Sequence, residues 1–302
     1  MPLKQYNTIE SLQLIELLND YKAYNCFNPS IVFVQGIVII AFRALNASKT
    51  KPFHSFLLIY NHINKNKEII DLSEYYLQHG IHNAADPKLT VLNDQVWVTF
   101  NTGYSKKIKN NLYLAPVYPK LGEPYLCHYA DRQRVEKNWS FFSEKGVLKA
   151  LYSIYPLTVI VEGKRDKGTK TIEFTQEFQE VNLPPQSRHR QLTIGSQAVL
   201  KNNKLYMMAH EKRYFMNKRC YVGVPICIQK ENQNYVRIVS KKRFFHSYLS
   251  LLGSLQKHNK NLWSCTYFSG LQIKKDNNVI LGYGINDLKY SFKEVNQNKL
   301  WE

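Results

Sequence analysis

Apolar stretches recur along the chain in pairs, and a short polar turn separates the two members of each pair. The clearest pair lies in residues 84–100, where an Asn93-Asp94 turn separates two runs rich in β-branched and aromatic residues. That pattern predicts a β-hairpin. Four other pairs share it, at residues 28–43, 137–155, 195–210 and 269–283, with turns at 35–36, 145–146, 202–203 and 277–278.

Five hairpins of similar design, spaced by about 50 residues, indicate a repeat architecture. The sequence therefore predicts an all-β fold, a five-bladed β-propeller, in which the whole chain 1–302 forms one domain. Residues 1–27 are expected to form a lead-in with a short helix at 9–21, where leucines recur at helical spacing. Further predicted strands are 53–60, 111–117, 124–129, 171–182 (an edge strand), 221–228, 235–239 and 290–295 (pairing back onto an outer strand), and 247–255 is expected to be helix or loop.

The five cysteines include no Cys-x-x-Cys pair and are odd in number, which argues against a disulfide framework or a thiolate zinc site. The longest apolar run, 31–42, is too short to span a membrane and is interrupted by Gln35-Gly36. Acids among the N-terminal leucines argue against a signal peptide. We therefore expect a soluble, cytoplasmic protein.

The net charge is +18, which favours anionic partners such as nucleic acid, a phospholipid surface or a phosphorylated substrate. The densest basic runs are 106–109, 188–190 and 241–243, and each alone is more typical of a solvated loop at a strand end. Because no zinc-finger spacing or RNA-binding motif accompanies these runs, nucleic acid is not the expected partner.

Polar side chains stand at the predicted strand ends of the hairpins. They are Arg43, Asp86, Lys88, Lys137, Asn138, His210, Tyr283 and Asp287, with Trp139 beside them. Aromatic rings next to hydrogen-bonding groups are typical of sugar sites, because a pyranose face stacks on a ring while its hydroxyls need polar partners. Alternatives remain for individual residues: Arg43 as an exposed strand end, Asp86 as a turn cap and Trp139 as a residue that closes a blade.

Other chemistries have less support in the sequence. His79 and His82 have no nearby third ligand, so we expect no metal and no cofactor. The sequence contains no Gly-x-Ser-x-Gly nucleophile motif, no Walker loop and no Gly-x-Gly-x-x-Gly motif.

The strand-end motifs resemble, in order, those of the five-bladed mannoside phosphorylases and hydrolases of glycoside hydrolase family 130 and of their β-1,2-mannosyltransferase relatives. The resemblance covers about residues 28–287. It rests on Asn28-Pro29 with Arg43, Asp86-Pro87-Lys88, Lys137-Asn138, Gly195 with His210, and Ser269-Gly270 with Tyr283-Gly284 and Asp287. Two positions depart from the family pattern. Lys88 stands where the family has arginine, and Glu211 follows His210 where the family has glycine.

The resemblance implies that Asp86 is the catalytic carboxylate and that Arg43, Lys137 and His210 bind an anion. A carboxylate among cations keeps a low pKa, so Asp86 would act more naturally as a base toward an acceptor hydroxyl than as an acid. The expected function is therefore a glycosyltransferase in glycan or surface-polysaccharide synthesis. Its partners would be a nucleotide sugar or sugar phosphate and a glycan acceptor, which could be lipid-linked at an anionic membrane. The alternatives are a glycoside phosphorylase or hydrolase, and a non-catalytic glycan-binding propeller.

Overall fold

A computed structural model describes the chain except for residues 5, 20, 22–24, 46–52, 104, 106–108, 166–167, 182–190, 233, 254 and 302. The described part is nearly all β, as the sequence predicted, and its helices are short. The basic run 188–190 and most of 106–109 lie outside the described residues. None of the described helices is long and apolar enough to cross a membrane.

Helices and strands are numbered separately along the chain. The helices are α1 (Ile9–Asn19), α2 (Leu72–Leu77), α3 (Tyr248–Leu251) and α4 (Gln297–Trp301). The first ten strands are β1 (Asn25–Val34), β2 (Ile37–Leu45), β3 (Phe53–Asn61), β4 (Lys67–Asp71), β5 (Ala85–Leu92), β6 (Gln95–Asn101), β7 (Leu112–Tyr118), β8 (Tyr125–Tyr129), β9 (Ser140–Glu144) and β10 (Val147–Ile154). The others are β11 (Leu157–Arg165), β12 (Thr171–Val181), β13 (Gln191–Ile194), β14 (Val199–Lys201), β15 (Lys204–Phe215), β16 (Lys218–Glu231), β17 (Asn234–Val239), β18 (Leu262–Ile273), β19 (Asn278–Ile285) and β20 (Lys289–Asn296).

Antiparallel pairing sorts the described strands into consecutive groups: β1–β4, β5–β8, β9–β12, β13–β17 and β18–β20. Two parallel pairings join neighbouring groups, β8 with β12 and β16 with β18. The prediction of an edge strand at 171–182 was therefore wrong, because β12 lies between β11 and β8. The segment at 290–295 does pair back, but β20 pairs with β19, the second strand of its own hairpin.

Hydrogen bonds also connect the five groups in chain order and back to the start. Each of these bonds joins one side chain to a backbone atom of a neighbouring group. They are Leu89 N to Ser30 Oγ (2.9 Å), Thr90 Oγ1 to Phe141 O (3.0 Å), Ala198 N to Ser140 Oγ (2.5 Å), Phe268 N to His210 Nε2 (2.8 Å) and Ser269 Oγ to Pro29 O (2.8 Å). The last bond joins β18 to β1, so this series of hydrogen bonds returns to the first strand.

The core lies between neighbouring sheets. Ile39 and Leu57 of the first sheet pack with Leu89 and Val98 of the second, and all four are almost fully buried. These residues come from the alternating apolar positions that predicted the strands, because one face of each strand must be covered by the next sheet.

The predicted turns are present at the ends of the hairpins. Asn93 and Asp94 have φ of 48° and 63°, and Asn202 and Asn203 have φ of 51° and 58°, the left-handed values that tight hairpin turns require. In the last hairpin β19 already begins at Asn278, so the turn ends one residue earlier than predicted. Strand β15 extends beyond His210 to Phe215, so the prediction that the strand ends at His210 was wrong.

Candidate active site

The backbone places Asp86 in a β-bulge. The register between β5 and β6 shifts between Ala85 and Lys88, and Asp86 has φ of 54°. Pro87 has no N–H to donate, which suits a position where the ladder is interrupted. Asp86 therefore lies within β5, not before it as the sequence suggested, but the bulge frees its side chain from the regular alternation of the strand.

Two cations from separate parts of the chain, Arg43 of β2 and Lys137 of the loop before β9, bind the carboxylate of Asp86. Arg43 Nη1 lies 2.8 Å from Asp86 Oδ1, and Lys137 Nζ lies 3.4 Å from Asp86 Oδ2. The Arg43 guanidinium also lies over the rings of Phe27 (5.2 Å) and Phe53 (4.7 Å), which fixes its plane. Asp86 and Arg43 are mostly buried, whereas Lys137 is 37% exposed and marks the side of the site that opens to solvent.

Electrostatics keeps Asp86 ionised. Burial alone would raise the pKa of Asp86, but the charges of Arg43, Lys137 and Lys88 outweigh burial and hold the pKa well below its usual range. The amide of Asn101 adds a hydrogen bond to the same carboxylate. Asp86 is thus a stable anion at neutral pH.

Lys88 is a buried amine at the floor of the site. Its side chain is almost inaccessible, and Nζ donates to Asn138 Oδ1 at 2.7 Å and to the carbonyl oxygen of Gly195. Burial lowers the pKa of Lys88 to about 7, an effect that Asp86 opposes and Lys137 reinforces. Near neutral pH, Lys88 can therefore carry or release a proton.

His210 lies beside this amine. Its Nε2 accepts the Phe268 N–H at 2.8 Å, so the neutral ring carries its proton on Nδ1, which has no hydrogen-bond partner among the described residues. Burial and the charge of Lys88 lower the pKa of His210 to about 3. The imidazole is thus neutral at physiological pH and offers one N–H donor.

Tyr267 and Asn138 complete this part of the site. The Tyr267 hydroxyl donates to Asn138 Oδ1 at 3.0 Å, and the Tyr267 ring lies 4.1 Å from the His210 ring and 5.5 Å from Lys88 Nζ. Tyr267 therefore connects three side chains that lie far apart in sequence: Lys88 of β5, Asn138 of the loop before β9, and His210 of β15.

Asp287 follows β19 and is partly buried. Burial raises the pKa of Asp287, and the charge of Arg43 partly offsets this effect. Asp287 is therefore a second, less firmly ionised carboxyl group within electrostatic reach of Arg43.

Two predicted site residues do not line this site. Trp139 is 1% exposed, donates from Nε1 to Glu136 Oε2 at 2.9 Å, and packs against Tyr152 and Phe174. Tyr283 is fully buried, with its hydroxyl 3.2 Å from His246 Nδ1. Both rings fill the core, so neither is available to stack on a sugar, and the alternative of a structural Trp139 fits its position.

Glu211, which follows His210 where the family has glycine, has its charge balanced by two arginines. Its carboxylate binds Arg213 and Arg243, the latter at 2.5 Å. Burial would raise the pKa of Glu211, but these two guanidinium groups lower it.

Sequence reasoning missed Tyr267 and Asn101, and it named Gly195 as part of a motif without giving its carbonyl a role. Asn101 ends the strand paired with the Asp86 bulge, and its amide donates to Ala85 O at 3.2 Å. A polar residue at the end of an apolar strand was the signal that could have identified Asn101. A backbone carbonyl leaves no such signal.

The charges within the site do not balance. Three basic side chains, Arg43, Lys88 and Lys137, surround one firmly ionised carboxylate, Asp86. Excess positive charge in a partly buried setting favours an anionic ligand. The arrangement can thus bind a phosphate group and place a carboxylate next to it.

The described residues also contain one cluster with possible metal ligands, formed by His54, Asp71 and Glu74, whose ligand atoms lie within 4.8 Å of one another. Asp71 already caps α2 by accepting the Ser73 and Glu74 N–H groups, and its other oxygen lies 2.9 Å from His54 Nδ1. A helix cap with a histidine partner explains this cluster.

Comparison with known proteins identifies the fold. No family model matches the sequence. No curated protein matches it significantly. Similar solved structures include a mannose phosphorylase from Leishmania mexicana in complex with phosphate ion, with a TM-score of 0.56, 12% identity, and coverage of 96% of this chain and 94% of that chain.

A GDP-Man-dependent mannosyltransferase from Leishmania mexicana gives a TM-score of 0.54 at 12% identity, with 91% of this chain and 86% of that chain covered. A glycosyl hydrolase from Bacteroides ovatus gives 0.55 at 13% identity, with coverage of 91% and 85%. The chain therefore shares its fold with carbohydrate-active enzymes over nearly its whole length, which agrees with the resemblance found in the sequence.

Proposed function

We propose that this protein is a glycosyltransferase that moves a sugar from a phosphate-activated donor to a carbohydrate acceptor, in the synthesis of a glycan or surface polysaccharide. The observation that carries the proposal is the unbalanced site, in which Arg43, Lys137 and Lys88 surround the firmly ionised carboxylate of Asp86. Such a site suits a substrate that brings its own negative charge.

In this mechanism the donor phosphate binds to Arg43 and Lys137. As these cations turn toward the phosphate, Asp86 loses part of their stabilisation and its pKa rises, so the carboxylate becomes a better base. The acceptor hydroxyl oxygen then forms a bond to the anomeric carbon, and the bond from that carbon to the phosphate oxygen breaks. Asp86 takes the hydroxyl proton, and the released phosphate keeps the bonding electron pair.

The same electrostatics argues against Asp86 as a proton donor. A carboxyl group with a pKa well below its usual range holds no proton at neutral pH. Lys88, with a pKa of about 7, would be better suited to supply a proton to the leaving phosphate oxygen. After the phosphate leaves, Lys88 would take up a proton from solvent. The neutral His210 N–H would add one donor to this phosphate.

A second candidate function is a glycoside phosphorylase or hydrolase, in which the cations would hold inorganic phosphate as the nucleophile. The phosphate-bound mannose phosphorylase of similar fold supports this alternative, and the GDP-Man-dependent mannosyltransferase supports transfer. A glycan-binding protein without activity would tolerate loss of Asp86.

We also propose that the whole chain is one domain, and that its antiparallel groups are the five blades of a propeller around the Asp86 site. The hydrogen bonds that lead from each group to the next, and from Ser269 back to Pro29, support this arrangement.

A screen of sugar phosphates and nucleotide sugars tests the proposed function. Bound donors are then incubated with oligosaccharide acceptors, or with inorganic phosphate and oligosaccharides. A transferase yields an elongated acceptor and releases the nucleotide or phosphate, whereas a phosphorylase yields a sugar phosphate only when inorganic phosphate is supplied. If neither reaction yields a product, both enzyme hypotheses are contradicted.

A further inference from the structure

Exposed apolar side chains concentrate in two short segments of the chain. One is the tip of the β15–β16 hairpin, where Met216 is 75% exposed, and the other is α3 with the residue after it, where Leu252 is 69% exposed. We call the following six exposed side chains the apolar patch: Tyr214, Phe215, Met216, Tyr248, Leu249 and Leu252.

Trp263 joins the two segments into one surface. The ring of Phe215 lies 4.5 Å from the ring of Trp263, and Trp263 Nε1 donates to the Leu251 carbonyl oxygen at 2.7 Å. Gly253 approaches the same indole so closely that an added Cβ would lie 2.8 Å from it. The hairpin tip and α3 are therefore held side by side.

The surrounding sequence is strongly basic. Residues 212–219, which form the hairpin tip, contain four lysines and arginines and no acidic residue, and Lys212 Nζ lies 5.1 Å from the Tyr214 ring. Lys257 reinforces the surface directly, because Nζ donates to the carbonyl oxygens of Gly253 and Trp263 and lies 5.7 Å from the Trp263 ring.

The apolar patch lies beside the candidate active site. The hairpin that carries it begins at the site: His210 is four residues before Tyr214 on β15, and the His210 ring lies 6.3 Å from that of Tyr221 on β16. Trp263 lies on β18, the strand that also carries Tyr267. The patch therefore lies next to strands β15 and β18, which also carry His210 and Tyr267.

We propose that the apolar patch is a docking surface for an anionic lipid bilayer. Aromatic and aliphatic side chains next to many basic ones have the chemistry of proteins that lie on a membrane, where apolar groups enter the headgroup region and cations attract anionic lipids. A second copy of this chain would bring the same positive charge and be repelled. Nucleic acid would satisfy the charges but would leave Met216 and Leu252 without an apolar partner.

Docking in this orientation would hold the Asp86 site close to the bilayer surface. Where the proposed transferase function holds, the acceptor is then a glycan carried by a membrane lipid. The docking surface itself does not depend on that function, because vesicle binding is measured without any sugar substrate.

The experiment is flotation of the intact protein with phosphatidylcholine vesicles, with and without phosphatidylserine, at low and high salt. Met216→Glu and Leu252→Glu each place a negative charge in the patch. Ile63→Glu is the matched control, because Ile63 is 84% exposed and lies beyond β3, at the end of the sheet remote from Arg43.

We expect the wild type to float only with vesicles that contain phosphatidylserine, and less so at high salt. Met216→Glu and Leu252→Glu should each weaken partitioning about tenfold, while Ile63→Glu binds like the wild type. Failure of the wild type to bind anionic vesicles would overturn the proposal, as would an equal loss in Ile63→Glu. A dimer that Met216→Glu dissociates, or RNA binding without vesicle binding, would also overturn it. Transfer to a soluble acceptor is measured in Met216→Glu as well. If this variant transfers sugar like the wild type but does not bind vesicles, docking has been lost while the catalytic function remains.

Discussion

Two charge clusters in this protein differ in whether their acidic and basic side chains balance. Around Asp86, three basic side chains face one firmly ionised carboxylate. In the outer cluster, formed by Glu144, Lys149, Glu177 and Lys230, two acids face two bases. Lys149 Nζ lies 2.7 Å from Glu144 and 2.5 Å from Glu177, and Lys230 Nζ lies 2.8 Å from Glu144.

The pKa shifts express this difference. In the outer cluster, burial opposes the charged forms, but hydrogen bonds between Glu144 and Lys149 prevail: the pKa of Glu144 falls to about 2 and that of Lys149 rises. Near Asp86, burial prevails at Lys88, whose pKa falls to about 7. Balanced charges stabilise the fold. The excess positive charge around Asp86 lowers stability, and a bound anion would neutralise it.

The largest expected effect follows from removing the carboxylate. Asp86→Asn should lower the turnover of the identified substrate by about 10²-fold to 10⁴-fold, because the acceptor proton loses its base. The variant should stay folded and still bind the donor, as shown by circular dichroism and calorimetry. Near-normal turnover would instead support Asp86 as a turn cap.

Loss of one cation should weaken anion binding by about tenfold to a hundredfold, the usual range for a hydrogen bond to a charged group. Arg43→Gln removes the guanidinium that contacts Asp86. The affinities of the variant and the wild type for inorganic sulfate are compared by calorimetry. Arg165→Gln is the matched control, since Arg165 is exposed and stacks on Tyr125 at 4.1 Å. If both variants lose the same fraction of sulfate affinity, the effect comes from the net charge of the protein and the anion site is contradicted.

A substitution in the outer cluster should change the stability of the protein but not its affinity for sulfate. Lys149→Met leaves Glu144 and Glu177 without their buried partner and should lower the free energy of unfolding by about 2 kcal/mol, with sulfate affinity unchanged. Urea denaturation measures the first quantity. An unchanged midpoint would contradict the role given to Lys149.

The outer cluster also predicts a pH dependence. The folded-state pKa of Glu144, about 2, lies below its ordinary value of 4.5, so its contribution to stability is present above pH 4.5 and is lost as the pH falls from 4.5 toward 2. Thermal unfolding across this window should show a smaller loss in Lys149→Met than in the wild type. If the stability of both proteins falls equally with pH across this window, the role given to Glu144 is contradicted.

The smallest expected effect is a pH dependence at the site. Because the pKa of Lys88 is about 7, the amine is charged below that pH and neutral above it. Sulfate affinity should thus fall about tenfold as the pH rises through 7, and Lys88→Arg, which stays charged, should bind sulfate equally on both sides of pH 7. Sulfate is the suitable probe because its own charge is constant there. A persistent pH dependence in Lys88→Arg would assign the effect to another group.

The sequence predicted those parts of the molecule that local patterns determine. Alternating apolar residues and paired turn residues such as Asn93-Asp94 located the hairpins, because strand and turn preferences act over a few residues. Among the polar residues predicted at the strand ends, Arg43 and Lys137 contact Asp86, and His210 lies near Lys88. Their function as one site stays a prediction.

Other parts depended on tertiary structure. The parallel pairing of β12 with β8 joins strands about 45 residues apart in sequence, and no local pattern encodes it. Trp139 and Tyr283 have the composition of a sugar site, yet packing against neighbouring rings buries both. The bulge at Asp86 depends on the partner strand, so the sequence suggested only that proline interrupts the ladder there.

Phosphate titration of Asp86→Asn beside the wild type tests the central claim most directly. If the cations around Asp86 form an anion site, removing the competing carboxylate should release Arg43 and Lys137, and the variant should bind inorganic phosphate about tenfold more tightly than the wild type. Weaker binding in the variant, or no saturable binding in either protein, would contradict the account.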